Sequence, residues 1–261
     1  GGRNVLVRAS AGAPPVDVSP RDFNVRSRVH EYGGAAYTVH QGTIYASNFV
    51  DQKLYAFAAG QVPRALTPEG YFYAQCRVDA ARQRLLCVRE DHTEGDAQPT
   101  ASIVAIPLGA AAPSAGTVLA SGADFYSDPS VSPDGRRLAW LQWNHPNMPW
   151  DGTSLYVADL DAQGAPRAPV LVAGGAEESV FQPSWSPDGM LYFVSDRTGR
   201  EWVWTVGMLG FAVCYVALLL LQSNPSPVLL YIMIVAQGAP SIRAAFISRW
   251  CVSRTSATSD R

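Results

Sequence analysis

The sequence predicts an all-β fold, an incomplete β-propeller of about three and a half blades of four-stranded antiparallel sheet, followed by an α-helical transmembrane segment or hairpin. One observation for the propeller is a seven-residue string that occurs at 129–135 and again at 183–189 with a single difference. A second is a period of about 50 residues between groups of three or four strand-like runs, which is typical of propeller blades. The transmembrane prediction rests on 202–242, which contains no Asp, Glu, Lys, Arg or His.

The first predicted blade covers about 32–68. It contains three short runs rich in β-branched and aromatic residues, Tyr37–His40, Thr43–Ala46 and Lys53–Phe57, with turn residues between them. Such runs indicate antiparallel hairpins.

The repeated string has the composition of a tight turn. In Pro129–Gly135 and Pro183–Gly189, Pro fixes one backbone angle, Asp can hydrogen bond to the backbone that it turns, and Gly adopts the positive φ needed to re-enter a strand. An apolar strand follows each turn, at Leu138–Leu141 and at Leu191–Val194. A weaker copy, Val78–Val88, lacks the Pro and the Gly of the turn.

Further blades are predicted at about 70–122 and 124–176, with one hairpin of a fourth at 180–196. Their third strands also repeat, as Ser102–Ile106 and Ser154–Leu160. The spacing predicts that the two turns occupy equivalent corners of successive blades. It also predicts which side chains face the core between blades: Val131, Leu138, Trp185 and Leu191.

Charge and cysteine content exclude some classes of function. The net charge of −2 gives no electrostatic reason to expect a nucleic-acid partner. The four cysteines show neither Cys-x-x-Cys spacing nor the density of a disulfide scaffold, so we expect no metal site. Because Cys76 and Cys87 lie in apolar strand-like runs and Cys214 lies in the uncharged stretch, we expect buried, reduced thiols in preference to a disulfide or a metal site. No cofactor is predicted either.

Several long motifs carry a family resemblance. His30–Gly34, Val88–His92, Ser121–Phe125, Trp140–Gly152 and Tyr192–Gly199 together resemble the N-terminal propeller of prolyl oligopeptidase family serine peptidases, in particular the acylaminoacyl-peptidase or dipeptidyl-aminopeptidase type. The resemblance covers roughly 1–199. It implies a family activity in the hydrolysis of peptides or acyl-peptides, performed by the Ser, Asp and His of an α/β-hydrolase domain that follows the propeller.

No catalytic residue is predicted in this chain. The nucleophile elbow of an α/β-hydrolase needs a Gly-x-Ser-x-Gly string, and the sequence contains none. The nearest string, Ala112–Gly116, lies in an Ala/Pro/Gly-rich connection and is interpreted as a loop. We therefore expect the chain itself not to hydrolyse peptides.

The first candidate binding site is the string His30-Glu31-Tyr32, which precedes two glycines. A carboxylate beside flexible backbone can bind the amino terminus of a peptide, so peptides are the expected partners. A structural hydrogen-bond cluster at the start of a strand is the alternative.

The second candidate site is the loop that contains His145, Met148 and Trp150 together with two prolines. Rigid aromatic loops of this kind can form the rim of a binding site. Packing over the edge of a blade explains the same residues and remains open at this point.

The membrane prediction concerns Val203–Leu221, 19 uncharged residues that are long enough to span about 30 Å of hydrocarbon. A buried core helix is the alternative. A second apolar run, 228–242, is marginal as a span. Arginines before the first run and after the second predict a membrane protein with a cytoplasmic propeller, or a cytoplasmic protein if the tail is an artefact.

A short motif in the same region gives a second resemblance. Asp196, Arg197, Gly199 and Arg200 are similar to the Asp-Arg-x-Gly-Arg loop motif of major facilitator superfamily transporters. The expected organisation is thus a partial propeller at 1–199, one or two helices at 202–242 and a Ser/Arg-rich, disordered tail at 243–261, the first two parts joined by a fusion. A membrane-anchored binding or scaffolding module and a transporter fragment are the alternatives to the peptidase propeller.

Overall fold

The computed structural model describes residues 2–95, 98–197 and the backbone of 253–255. It divides into two compact units, one of 1–193 with 254–261 and one of 194–253, and the architecture below is that of the first. The described chain is built from β-strands, with one 3-10 turn at Ala80–Arg82.

Three four-stranded antiparallel sheets follow each other along the chain. A hairpin, β1 (Val7–Ser10) and β2 (Ala13–Asp17), precedes them, and it was not predicted from the sequence. The first sheet is β3 (Tyr37–His40), β4 (Thr43–Ser47), β5 (Leu54–Ala58) and β6 (Arg64–Ala65). The second is β7 (Tyr71–Asp79), β8 (Arg84–Asp91), β9 (Thr100–Pro107) and β10 (Thr117–Ser121). The third is β11 (Phe125–Val131), β12 (Arg137–Trp143), β13 (Ser154–Leu160) and β14 (Pro166–Gly174). A further hairpin has β15 (Val180–Trp185) and β16 (Leu191–Ser195), and β17 is Ser253–Thr255.

The first strands of successive sheets are neighbours in space. Strand β3 contacts β7, β7 contacts β11 and β11 contacts β15. Side chains of one strand alternate between two cores: Leu85 and Cys87 pack towards the first sheet, whereas Leu86 and Val88 pack towards the third. Sheets that share their faces in this way form a propeller-like arrangement, as predicted.

The two repeated turns have the same structure. The backbone N–H of Gly135 donates to the carbonyl of Ser132 at 2.8 Å, and that of Gly189 donates to Ser186 at 2.9 Å. The two glycines adopt φ values of +73° and +81°. Each turn joins the first and second strand of its sheet, which confirms the predicted equivalence.

The predicted core positions are also confirmed. Val131 and Leu138 pack in the cluster between the second and third sheets. Trp185 and Leu191 pack in the cluster between the third sheet and the last hairpin.

The weaker copy of the turn, within Val78–Val88, is stabilised by different interactions. In place of the glycine, Gln83 adopts the left-handed conformation with φ +49° after the 3-10 turn. The buried carboxylate of Asp79 accepts from Arg84 at 2.8 Å and from Arg82 at 3.3 Å. These arginines also donate to the carbonyls of Gly164 and Gly135 in the turns of the third sheet. The ion cluster therefore links two sheets at this corner.

A residue with positive φ in the first strand repeats as well, and it was not predicted from the sequence. Gln75 in β7, Asp128 in β11 and Gln182 in β15 all have positive φ, at +54°, +50° and +55°. The side-chain Oε1 of Gln75 accepts from the backbone N–H of Asp128 at 2.6 Å. In β7 and β11 the register against the next strand shifts at this position, which identifies a β-bulge there.

One expectation about the cysteines is wrong. Cys76 and Cys87 are buried as expected, but they form a disulfide with a Cα–Cα distance of 4.1 Å. The register of β7 against β8 shifts between Ala74 and Arg77. The bulge in β7 places Cys76 beside Cys87 in the same core, a proximity that sequence spacing does not reveal.

The helical predictions lie outside the described residues. This applies to 203–221 and 228–242 and to the tail apart from the backbone of 253–255. Of the transporter-like motif, Asp196 and Arg197 are described, whereas Gly199 and Arg200 are not. Within 2–95 and 98–197, no helix is long and apolar enough to cross a membrane.

Candidate functional site

A cavity of about 720 Å³ lies where the hairpins β7–β8 and β11–β12 open, opposite their turns. Its size is in the range of small-ligand sites. One part of its wall comes from the segment before β3 and from the end of β4. The other part comes from the starts of β7 and β11, the ends of β8 and β12, and the loop after β12.

Both candidate loops contribute to this one cavity. His30, Glu31 and Tyr32 line it from one side, and His145 and Met148 line it from another. Trp150 belongs to the second loop but is not part of the wall, and 62% of its surface is exposed. The structure thus brings together two segments that sequence reasoning treated as separate sites, and it leaves one predicted residue outside.

The first loop is a tight turn with unusual backbone. His30 and Glu31 both adopt left-handed conformations, with φ +59° and +61°, and Gly33 follows at φ +92°. A Cβ on Gly33 would lie 2.9 Å from the carbonyl oxygen of Ser27, so only glycine fits there. Strained backbone of this kind is concentrated at binding and catalytic sites.

Glu90 is the functional candidate that sequence reasoning missed. Its buried carboxylate accepts from the backbone N–H of His30 at 2.7 Å and lies 3.2 Å from His92 Nε2. Burial raises the pKa of Glu90; the hydrogen bonds from His30 and His92 oppose the rise, and nearby Glu31 adds to it. An acidic residue at the end of an apolar strand was the available signal.

His30 lies in an aromatic environment at the wall of the cavity. Its ring is 5.2 Å from that of Trp143, 5.8 Å from that of Phe125 and 5.6 Å from that of Tyr32. Burial lowers the pKa of His30 to about 4, against the effect of a hydrogen bond with the Tyr126 backbone. Only 7% of the residue is exposed, and its Nε2 has no hydrogen-bond partner among the described residues. This nitrogen is itself buried, so the His30 ring forms part of the wall and presents no exposed hydrogen-bonding atom to the cavity.

Aromatic rings form most of the apolar wall. Phe125 and Trp143 stack at 5.3 Å, and Phe72 stacks on His92 at 3.8 Å. Phe125 and Trp143 are direct partners across β11 and β12. The cavity can therefore hold an apolar or aromatic group between its polar ends.

The second loop is fixed to its blade by polar contacts. Asp124 accepts from the backbone N–H of His145 at 2.9 Å and lies 3.1 Å from its ring Nδ1. These contacts, the backbone one foremost, lower the pKa of Asp124. Asn147 donates to the carbonyl of Ala176 at 2.8 Å, and the His145–Pro146 peptide is cis. The loop positions Met148 at the cavity without itself being part of a strand.

The nearest approach to a nucleophile motif is a loop, as predicted. Ser114 lies between β9 and β10, and its hydroxyl accepts from the backbone N–H of Gly116 at 3.1 Å. Within residues 2–95 and 98–197, no three His, Cys, Asp or Glu residues are arranged to hold a metal ion.

Solved structures give the clearest comparison. Two structures of puromycin hydrolase, one of them a mutant complexed with PGG, share 37% and 36% identity with this chain over 76% of its length, with TM-scores of 0.70 and 0.69. A puromycin-hydrolyzing peptidase of Mycobacterium tuberculosis shares 38% identity over 75% of the chain, with a TM-score of 0.67. The β domain resembles the amino-terminal part of these peptidases.

Each match covers only part of the solved structure. The chain spans about a third of the length of each of the three solved structures, at 33%, 33% and 32%. No protein-family model and no curated protein matches the chain. The likeness to a transporter gains no support from the comparisons.

Proposed function

We propose that this chain is the non-catalytic propeller portion of a serine peptidase of the prolyl oligopeptidase family, and that its cavity holds the amino-terminal end of a peptide or aminoacyl substrate. The first part is supported by the identity of 36% to 38% with puromycin hydrolase and a related peptidase over three quarters of the chain. The second part rests on the cavity.

The observation that carries the binding proposal is the position of Glu31 and Glu90 beside His30 in one cavity. Two carboxylates close together in a half-enclosed space raise each other's free energy when both are charged. Glu90 shows this effect, since burial and Glu31 both raise its pKa. An ammonium group between them removes the repulsion and gains charge-assisted hydrogen bonds.

The aromatic wall supports a substrate with an apolar side chain next to its amine. Phe125, Trp143 and Phe72 provide flat surfaces within the same cavity. The arrangement can bind and orient a substrate.

The test compares puromycin with N-acetylpuromycin by isothermal titration calorimetry on the purified 261-residue chain. We expect the free amine to bind at least about tenfold more tightly, because a charge-assisted hydrogen bond contributes about 1.5–3 kcal/mol. Glu31→Gln should remove most of this preference. Glu69→Gln, which changes an exposed carboxylate paired with Lys53 outside the cavity, is the matched control and should keep it.

Equal binding of puromycin and its acetylated form to the unaltered chain contradicts the site proposal. The non-catalytic part is tested with a serine-reactive fluorophosphonate probe and chromogenic aminoacyl substrates. Stoichiometric labelling together with turnover that is lost on changing one serine would show that the chain is itself a hydrolase.

A further inference from the structure

The cavity also has a basic end. Arg26 and Arg28 both line it, and both side chains are exposed. Among residues 2–95 and 98–197, neither guanidinium has a carboxylate partner in the structure. Two arginines that are close together and unpaired beside an otherwise acidic and aromatic cavity require an explanation.

The two arginines are held on one side of an extended segment. Val25, Ser27 and Val29 are buried and alternate with them, so Arg26 and Arg28 point away from the core together. The backbone N–H of Arg26 donates to the carbonyl of Ser47 at 3.2 Å, and that of Arg28 donates to Gln52 Oε1 at 2.8 Å. The segment is thereby fixed to the turn that follows β4.

The guanidinium groups are oriented by a shared aromatic ring. Arg26 and Arg28 lie 4.8 Å and 4.7 Å from the centre of the Phe49 ring. Phe49 is itself fixed, because buried Gln52 donates from Nε2 to its carbonyl oxygen at 2.8 Å. Stacking on a ring limits the motion of a guanidinium and leaves its N–H edge free for an anion. A planar carboxylate matches that edge with two parallel hydrogen bonds.

We propose that Arg26 and Arg28 form a carboxylate subsite, so that the cavity binds short peptides by both ends, the ammonium group at Glu31 and Glu90 and the free carboxyl terminus at the two arginines. This inference rests on the proposed function, because it assigns the second end of the same ligand. Arg28 and Glu31 lie on either side of one turn, with the N–H of Glu31 donating to the carbonyl of Arg28 at 2.7 Å. The basic and acidic ends are therefore near each other, which favours di- and tripeptides over longer chains.

The experiment uses three forms of one tripeptide: phenylalanyl-glycyl-glycine, its C-terminal amide and its N-acetyl derivative. Their affinities for the full chain are measured by calorimetry at constant ionic strength. The free acid should bind at least about tenfold more tightly than the amide, because the amide offers no charge to the arginines. The double variant Arg26→Gln/Arg28→Gln should bind acid and amide equally.

Two variants serve as controls. Arg8→Gln/Arg21→Gln removes the same charge from exposed positions outside the cavity and should keep the preference for the acid. Glu31→Gln should weaken both the acid and the amide and leave their ratio unchanged. Circular dichroism of each variant verifies that it is folded.

The outcomes separate the two proposals. If the unaltered chain binds acid and amide equally while N-acetylation weakens binding, the carboxylate subsite is wrong and the amine site stands. If N-acetylation has no effect, the amine site is wrong and the ratio of acid to amide still decides on the arginines. If none of the three forms binds, both proposals are wrong.

Discussion

At the turn end of the hairpins β7–β8, β11–β12 and β15–β16 the chain repeats itself, whereas at the open end of the same hairpins it does not. The turn ends share a position with positive φ, occupied by Gly135, Gly189 or Gln83. The open ends have the pair Phe72 and Glu90 in one sheet and the pair Phe125 and Trp143 in the next. The repeated end sets the backbone, and the variable end forms the cavity.

We expect substitutions at one end of these hairpins to have little energetic effect at the other end. Changes at the turns should lower the stability and leave ligand binding intact in the folded protein. Changes at the open ends should alter binding and pH dependence. The two ends lie at opposite ends of the same strands, so local substitutions can test the separation.

The largest effect is expected for Asp79→Ala. This change leaves the guanidinium of Arg84, 11% exposed, without its buried partner, and breaking such a pair costs about 3–5 kcal/mol of the free energy of unfolding. Urea denaturation measures the loss. Asp159→Ala, which removes a carboxylate that is 81% exposed and 3.5 Å from Arg137, is the control and should have little effect. A loss of puromycin affinity in the folded Asp79 variant would show that the two ends are coupled.

The second-largest effect is expected for the pH dependence of stability, through His30 at the open end of the hairpins. Because the pKa of His30 in the folded chain is lowered to about 4 from 6.5, the unfolded chain takes up a proton first as the pH falls. His30 therefore contributes to a loss of stability between pH 6.5 and pH 4, of about 3 kcal/mol at most. His30→Asn, a residue that tolerates positive φ, should reduce that loss. The pKa of Glu90 is raised in the folded chain, so Glu90 contributes a gain in stability as the pH falls, opposite to the contribution of His30.

The measurement for His30 is the free energy of unfolding against pH for the unaltered chain, for His30→Asn and for His40→Asn. His40 lies at the end of β3, away from the cavity, and serves as the matched control. The same pH dependence in all three proteins would mean that His30 is not held neutral by burial.

The smallest effect is expected at the repeated turns. Gly135→Ala and Gly189→Ala each place a Cβ at a positive φ and should cost about 1–2 kcal/mol, with similar values because the turns are alike. Gly109→Ala is the control, since that glycine has ordinary φ and open space around it. Thermal unfolding compares the three. Clearly different losses at the two turns would argue against their equivalence.

Two segments of the site could be identified from the sequence, but the full set of residues that forms the cavity could not. The strings around His30 and around His145 were identified as candidates because ionisable and aromatic residues stand beside Gly and Pro. Their meeting in one cavity depends on how the second and third sheets follow the first. Glu90 was missed because its role comes from the backbone N–H of a residue far away in sequence.

The strands of the three sheets, the repeated turns and the core positions could be predicted from the sequence, because alternation of apolar residues and Gly at a positive φ are local requirements. The disulfide and the cavity could not be predicted in this way, because they depend on the tertiary structure. The disulfide needed the bulge that places Cys76 beside Cys87, and the cavity needed the open ends of separate hairpins to converge. These features depend on contacts between residues distant in the chain, and such contacts leave no periodic signal in the sequence.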